Sequence, residues 1–322
     1  MSKKRGRAIV RFFNAYGLKE YYMLWKHYKI SFGKSGKEPM LIPVIDKRRK
    51  TKGLTDRFKG IVSMFALAKA NDVPFRIIYN HPIELTDFLV PNTYNWVPQP
   101  GELSDQVWDV RFRIMTKQPP LSKLTKMFPL RKQVLVYAKV DYLEKINNTY
   151  NKQYRWGDLF NELFKPSELV EQNMQMHLDR IGRKDYIACV FRFQSLLGDF
   201  KEYHFKPLPE EEQKQLIDKN KKAVRNIARQ SVVPVLVTSD SSSFLAAMED
   251  LPNVFISPGR VVHIDNVDDA GTEVYMKSFV DFLMLSRAQR IYSIGTSRMY
   301  KTDFPKYAAK INDIPFERIL LE

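Results

Sequence analysis

Alternation between two kinds of segment is the feature that most constrains the fold of this chain. Short runs of β-branched and aromatic residues, typical of strands buried on both faces, are separated by longer segments with helical periodicity. The predicted strands are Ala8–Phe12, Leu41–Ile45, Pro74–Tyr79, Val134–Ala138, Tyr186–Phe191, Val233–Thr238, Val254–Ser257 and Ile291–Ile294. Strands that alternate with helices form parallel sheets covered by helices, so the sequence predicts an α/β fold.

The predicted helices carry readable start and stop signals. Ser167 is suited to cap a helix, and Gly182 is suited to end it. The predicted helices are Asp56–Asn71, Glu168–Ile181, Glu210–Gln230, Ser241–Asp250 and Thr272–Ala288. Because residues 139–166 are polar and weakly periodic, we expect two domains, at 1–166 and 167–322.

Positive charge is concentrated at one end of the chain. The 322 residues include 52 Lys or Arg and 36 Asp or Glu, a net charge of +16. Residues 1–60 hold 17 of the basic residues and 4 of the acidic ones, a local balance of +13. This asymmetry indicates an anionic partner, such as phosphates, nucleic acid, an acidic glycan or an anionic membrane surface. A solvated basic tail explains the charge equally well.

Cysteine usage indicates a reducing compartment. Cys189 is the only cysteine, so no intrachain disulfide can form. The basic N-terminus lacks the apolar stretch of a signal peptide, and no window is apolar enough for a membrane span. We therefore expect a cytoplasmic protein, with peripheral contact to the inner membrane face as a further candidate.

Common cofactor motifs are absent from the sequence. Phe32–Ser35 resembles part of a P-loop, but Tyr28 stands where the first glycine belongs, and there is no G-x-G-x-x-G. The five histidines show no zinc spacing, and no two aspartates lie two residues apart. We therefore expect no metal and no other cofactor.

A glycine loop opens the helix that follows the second predicted strand. The segment Lys52–Gly60 reads KGLTDRFKG, with Gly53, Asp56 and Arg57 at the start of the helix. Unpaired backbone N–H groups at a helix start can bind an anion or a sugar hydroxyl. The alternative is an ordinary turn in which Asp56 caps the helix and Arg57 is solvated.

Two further segments place polar residues at the ends of predicted strands. Tyr186–Asp199 delivers Arg192 to the carboxyl end of one strand, where open α/β sheets bind ligands and a guanidinium can grip a phosphate. Val233–Ser241 and the strand before Thr296 end in hydroxylic or acidic residues that can bond a nucleotide. The alternatives are a solvated edge arginine and simple helix capping.

The order of these segments resembles GDP-fucose-dependent fucosyltransferases of the core α1,6, protein O-fucose and rhizobial chitin-oligosaccharide type. That family combines a glycine-loop helix start, a strand ending in H-x-R, a strand ending in T-D-[DS], and a D-x-x-x-L-S-x-[AS] block followed by a Ser/Thr pair. The corresponding residues here are Gly53–Arg57, Phe191-Arg192, Thr238–Asp240, Asp281–Ala288, Thr296-Ser297 and Ala308-Ala309. The resemblance extends from about 186 to 310 and is weaker at 53–79.

The resemblance implies a GT-B fold, in which two Rossmann-like domains face each other across a cleft. It also implies metal-independent, inverting transfer of fucose to a glycan hydroxyl, with the nucleotide mainly on the C-terminal domain. By position, Arg192 matches the arginine that contacts the donor β-phosphate, and Asp240 matches the acid that reads the guanine edge. Thr238, Thr296, Ser297 and Arg298 complete the expected donor site, and Gly53, Asp56 and Arg57 are expected on the acceptor side.

Departures from the family pattern keep other hypotheses open. Val190 stands where the family has histidine, and the acidic cluster after the arginine is replaced by Gln194, Ser195 and Leu196. Asp199 and Glu202 are the nearest acids that can serve as general base. One alternative is a GT-B enzyme with another nucleotide-sugar donor. The other is a basic nucleic-acid-binding protein, suggested by aromatics interleaved with the N-terminal cations, although we expect no specific nucleic acid.

Overall fold

Two parallel sheets, one in each half of the chain, organise the fold into two units. A computed structural model describes residues 18–30, 36–49, 53–182, 185–199, 206–259 and 271–322. The first unit comprises Met1–His81 and Pro91–Leu163, and the second comprises Pro82–Val90 and Phe164–Glu322. The sequence places the domain boundary after residue 166 and does not indicate that the segment Pro82–Val90 groups with the second unit.

The first unit contains a four-stranded sheet with the order β2-β1-β5-β4, in which every pairing is parallel. Its strands are β1 (Leu41–Ile45), β2 (Ile78–Tyr79), β4 (Val110–Met115) and β5 (Gln133–Ala138). Its helices are α1 (Lys19–His27), α2 (Leu54–Ala70), α3 (Ser122–Thr125), α4 (Leu143–Tyr150) and α5 (Trp156–Leu163). Helix α2 is buried around most of its circumference, as a helix packed between a sheet and other helices must be.

The second unit contains a five-stranded sheet with the order β11-β10-β7-β8-β9, again with parallel pairings. Its strands are β7 (Ile187–Phe191), β8 (Val235–Ser239), β9 (Val254–Ile256), β10 (Ile291–Gly295) and β11 (Phe316–Leu320). Its helices are α6 (Glu168–Ile181), α7 (Glu210–Gln230), α8 (Ser242–Ala246), α9 (Glu273–Arg287) and α10 (Phe304–Ile311). A separate two-stranded sheet joins β3 (Leu89–Pro91) to β6 (Phe164–Pro166), and a short 3₁₀ helix spans Leu85–Asp87.

The predicted α/β fold with parallel sheets is confirmed, and several elements match the sequence closely. Helices α6 and α7 have the predicted bounds. The Ser167 hydroxyl caps α6 by accepting a hydrogen bond from the Val170 amide, and Gly182 ends the helix with a φ of 72°. Among the described residues, none of the helices combines the length and apolarity needed to cross a bilayer.

Other predictions differ from the structure for identifiable reasons. Strand β4 is not among the predicted strands, although its VRFRIM segment alternates apolar residues with arginines, a pattern typical of a strand with one buried face. Residues 139–166, in which the sequence predicts no helix, contain α4 and α5, and within α5 the rings of Trp156 and Phe160 stack with centroids 5.2 Å apart. The predicted strand Pro74–Tyr79 contracts to Ile78–Tyr79. The predicted strand Ala8–Phe12 lies outside the described residues.

Candidate functional site

Three polar residues follow directly after adjacent parallel strands of the second unit. Arg192 follows β7, Asp240 follows β8 and Thr296 follows β10. Strand β7 pairs with both neighbours, with Val190 opposite Ser293 and Phe191 opposite Ser239. The three residues therefore meet at the carboxyl edge of one sheet, which is where open α/β folds bind their ligands.

The Arg192 guanidinium is held by the buried carboxylate of Asp240. Nη1 of Arg192 lies 3.1 Å from Oδ2 of Asp240, and their side chains are 19% and 2% exposed. Asp240 also binds the backbone that follows the arginine, because Oδ1 accepts from the Phe193 amide at 2.8 Å and Oδ2 from the Gln194 amide at 2.7 Å. Asp240 thus fixes the turn that presents Arg192.

Gln194 shows why that turn needs support. Its φ is +55°, in the left-handed region that a non-glycine residue adopts at an energetic cost. Burial raises the pKa of the Asp240 carboxyl, while the Arg192 charge and the two amides oppose that rise. Since both carboxylate oxygens of Asp240 already accept backbone hydrogen bonds, its expected contact with a guanine edge stays a prediction.

Asp199 lies in the loop after β7, and its side chain contacts the start of α8. Its Oδ2 accepts hydrogen bonds from the Ser243 amide at 2.8 Å and the Ser241 hydroxyl at 2.9 Å. Its Oδ1 is buried and lacks a hydrogen-bond partner within the described ranges. Asp199 therefore caps α8 with one oxygen and keeps the other as an acceptor at the edge of the sheet. The second candidate base, Glu202, lies outside the described residues.

The residues after β10 differ in their surroundings. The Thr296 hydroxyl is buried and has no hydrogen-bond partner in the part of the chain that the structure describes. Ser297 is exposed. The exposed Arg298 pairs with Glu212 in the first turn of α7. A buried hydroxyl without a partner is unfavourable, so a ligand oxygen beside Thr296 would relieve it.

The hydroxyl of Thr238 faces an internal network instead of the edge. It donates to Asp281 of α9, which also accepts from the Ser257 hydroxyl. Lys277 lies 3.0 Å from Asp281, and its ammonium donates to the Ser257 carbonyl at 2.8 Å. All four side chains are buried. The sequence signal for this network is a lysine and an aspartate four residues apart on an otherwise apolar helix.

The glycine-loop residues of the first unit are placed at the start of α2. Gly53 is the N-cap residue of α2, and Asp56 lies 3.4 Å from Lys59 in its first turns. Arg57 is only 1% exposed, and its Nη1 donates to the Tyr79 hydroxyl at 2.8 Å and the His81 carbonyl at 2.9 Å. The guanidinium thus anchors the chain after β2, which differs from the solvated alternative. Ligand binding by Gly53, Asp56 and Arg57 stays a prediction.

Metal ligands do not cluster in the described parts of either unit. No group of three or more His, Cys, Asp or Glu side chains there could hold a metal ion.

Cys189 is fully buried in the core of the second unit, where burial raises the pKa of its thiol.

Comparison with solved structures identifies the fold. NodZ α-1,6-fucosyltransferase soaked with GDP-fucose matches with a TM-score of 0.52 and 14% identity, over 85% of this chain and 93% of that one. NodZ from Bradyrhizobium matches with a TM-score of 0.53 and 13% identity, over 84% and 92%. A mutant of Arabidopsis thaliana FUT1 in complex with GDP matches with a TM-score of 0.57 and 12% identity, over 98% and 77%.

These likenesses show a shared fold, and the predicted resemblance to fucosyltransferases is confirmed at that level. No protein family model and no curated protein sequence matches the chain. The fold therefore rests on three-dimensional similarity, whereas the chemistry of the site rests on the residues themselves.

Proposed function

We propose that the protein is a glycosyltransferase that moves fucose from GDP-fucose to a glycan hydroxyl. The observation that carries this proposal is the position of Arg192 after β7, where Asp240 orients it at the ligand-binding edge of the sheet. The fold around it is shared with fucosyltransferases that were solved with GDP or GDP-fucose. A fixed guanidinium beside that edge is suited to a diphosphate, which it can bind through two parallel hydrogen bonds.

In this proposal the donor diphosphate lies against Arg192, Thr296 and Ser297. The buried Thr296 hydroxyl supports the arrangement because it has an unused donor and acceptor among the described residues. Arg298 follows these residues as a second cation at the rim, although Glu212 already pairs with it. A site of this kind stabilises the negative charge that develops on the leaving GDP.

The chemical step exchanges one bond at the anomeric carbon for another. The acceptor oxygen forms a bond to that carbon from one face, while the bond to the phosphate oxygen breaks on the opposite face, so the configuration inverts. The electron pair of the broken bond leaves with GDP beside Arg192, and the acceptor proton passes to a carboxylate. Asp199 is a candidate for that base because its Oδ1 has no hydrogen-bond partner among the described residues. Glu202 is the other candidate.

A different nucleotide-sugar is the second candidate donor, and the hydrogen bonding of Asp240 is the observation that favours it. Its carboxylate oxygens are both engaged by backbone amides, which weakens the expectation that they read guanine. Val190 stands where the fucosyltransferases have histidine, which is a second departure near the donor. The fold accommodates such a change because function depends on the site.

Transfer assays with separate donors test the proposal. The purified protein is incubated with radiolabelled GDP-fucose, GDP-mannose or UDP-galactose and a pool of glycan acceptors, and label in glycan and in free sugar is measured separately. We expect transfer from GDP-fucose, with the same rate in EDTA because the proposed mechanism uses no metal. Transfer only from another donor would support the second candidate. Activity that disappears in EDTA and returns with manganese would contradict the metal-independent mechanism.

A further inference from the structure

Three cations gather at the carboxyl edge of the sheet in the first unit. We call Lys19, Arg49 and Lys117 the basic cluster. Arg49 lies in the segment after β1, and Lys117 lies two residues after β4. Nη2 of Arg49 donates to the Thr116 hydroxyl at 2.8 Å, which places the guanidinium beside the end of β4 and next to Lys117.

Helix α1 brings the third cation to the same place. The Glu20 carboxylate accepts a hydrogen bond from the Ile114 amide at 2.9 Å and pairs with Arg113 at 2.8 Å. These contacts fasten the first turn of α1 to the last residues of β4, so Lys19 lies close to the strand end. The pKa of Lys19 is lowered by burial first, and then by the charges of Arg49 and Lys117. The cluster therefore concentrates positive potential in one small area.

Asp46, the carboxylate nearest to Arg49 in the sequence, already has other partners. Asp46 accepts from the Arg48 amide at 2.9 Å and from its Nε at 2.5 Å, and the Tyr137 hydroxyl lies 3.2 Å from Oδ1. Arg48 also lies over the Phe112 ring, 5.4 Å from the centroid. Asp46 thus neutralises Arg48 and not the basic cluster.

Among the described residues, the basic cluster has no neutralising partner. Within the described ranges, no carboxylate lies at ion-pair distance from Lys19, Arg49 or Lys117, although several other basic residues have one. The Nε of Arg49 is buried and has no hydrogen-bond partner there. Burial of such a donor without an acceptor is unfavourable, and burial also lowers the pKa of Arg49. An oxyanion would satisfy the donor and neutralise the charge together.

We propose that the basic cluster binds an anionic group, a carboxylate or a sulfate, on the glycan acceptor. This inference rests on the proposed glycosyl transfer and specifies its acceptor class. The carboxyl edge of a parallel sheet is the expected position for a ligand, and the cluster occupies that edge in the first unit. The cluster is compact, which fits one anionic group better than it fits the extended backbone of a nucleic acid.

Calorimetric titration of the full chain with defined oligosaccharides tests the inference. The probes are a galacturonic acid hexasaccharide, which carries carboxylates, a heparin hexasaccharide, which adds sulfates, and neutral chitohexaose. We expect an acidic probe to bind at least about tenfold more tightly than the neutral one, as a charge-assisted hydrogen bond would provide. Equal affinity for the neutral and acidic probes would overturn the inference. So would tighter binding of a single-stranded oligonucleotide of equal charge.

Single-residue variants test whether the basic cluster causes the preference for acidic probes. Arg49→Gln and Lys117→Gln should each weaken the acidic probe about tenfold, and Lys117 is exposed, so its substitution leaves folding intact. The matched control is Lys219→Gln on α7 of the second unit, which removes the same charge from an exposed position and should change nothing. An equal loss in Lys219→Gln would mean unspecific attraction and would overturn the inference.

The same titrations with GDP separate this inference from the proposed function. Wild type and all three variants should bind GDP equally, because the basic cluster belongs to the first unit and the proposed donor site to the second. Absence of GDP binding in the wild type would count against the proposed function. A wild type that binds GDP normally but shows no preference for the acidic probes would count against the basic cluster alone.

Discussion

Arg192 and Asp240 form a pair in which each residue needs the other. The carboxylate would be an uncompensated buried charge without Arg192, and the turn after β7 would lose two hydrogen bonds without Asp240. The pair places a cation at the edge of the sheet with little freedom to reorient. A preorganised charge of this kind contributes more to catalysis than a mobile one, because it does not reorganise during the reaction.

Substitution of Arg192 should reduce turnover and also lower stability, because the buried Asp240 carboxylate loses its cation. We expect Arg192→Ala to lower kcat by roughly a hundredfold or more, as loss of one preorganised charge does in other active sites. Arg192→Lys should also be poor, since an ammonium does not form the bidentate pair. Initial rates of fucose transfer measure both variants, with circular dichroism as the check on folding. A near-normal rate for Arg192→Ala would remove this residue from the site.

Asp240→Asn distinguishes orientation of Arg192 from recognition of the base. An amide cannot accept both backbone hydrogen bonds, so we expect the free energy of unfolding to fall by about 1–3 kcal/mol. If Asp240 acts by holding Arg192, GDP and inorganic pyrophosphate should lose affinity by the same factor. Calorimetric titration of both ligands provides the comparison. A loss confined to GDP would instead support the sequence-based prediction that Asp240 reads guanine.

The sequence predicts which residues lie at the carboxyl edge of the sheet in the second unit, but it does not predict their contacts. Arg192, Asp240 and Thr296 are placed by the ends of apolar strands, which are visible in the sequence. The partners of Asp240 depend on the path of the turn after β7, and those of Arg57 depend on the packing of α2 against β2. Such contacts arise from tertiary structure, and single-sequence patterns do not contain them.

Helix α9 contributes the buried Lys277–Asp281 pair to the second unit, and this pair should be important for stability. Lys277→Met leaves the Asp281 carboxylate buried with only hydroxyl donors, so we expect the free energy of unfolding to fall by about 3 kcal/mol. The double variant Lys277→Met, Asp281→Leu removes both charges and should lose less than the sum of the single losses. Urea denaturation of the wild type, Lys277→Met, Asp281→Leu and the double variant measures the coupling energy between the two side chains. Additive losses would contradict a direct pair.

Helix α2 depends on close approach to β5 at Gly60. A Cβ at this position would lie 2.2 Å from the Ala138 carbonyl oxygen, a backbone atom that cannot swing aside. We expect Gly60→Ala to lower the free energy of unfolding by at least about 2 kcal/mol through overpacking. Gly53→Ala is the matched control, because no described atom lies within 4 Å of its Cβ position. Equal stability losses for the two variants, measured by thermal denaturation, would contradict this account.

Elements with one dominant pattern are predictable, and elements with mixed patterns are not. The helix α6 is flanked by a capping serine and a terminal glycine, so both of its ends can be read from the sequence. Strand β11 reads FERIL and has mostly exposed or half-buried residues, which gives no apolar run to recognise. Its strand conformation depends on parallel pairing with β10.

The whole molecule divides its chemistry between two units. The second unit holds the candidate donor residues, and the first holds the basic cluster and the whole of residues 1–60, with their local charge of +13. This division puts Lys19 and Arg49, two of the 17 basic residues in 1–60, at the proposed acceptor site, so an anionic acceptor accounts for part of the charge asymmetry. It also makes donor and acceptor binding separately testable by substitution.

Binding of GDP is the measurement that tests the central claim most directly. The wild type is titrated with GDP, UDP, ADP and CMP, and Arg192→Ala is titrated with GDP. We predict that GDP binds in preference to the others and that Arg192→Ala weakens it by about tenfold or more, the loss expected for a charge-assisted hydrogen bond to phosphate. At a hundred times its dissociation constant, GDP should also stabilise the wild type by about 2.7 kcal/mol. A folded wild-type protein that binds none of the four nucleotides would contradict the account.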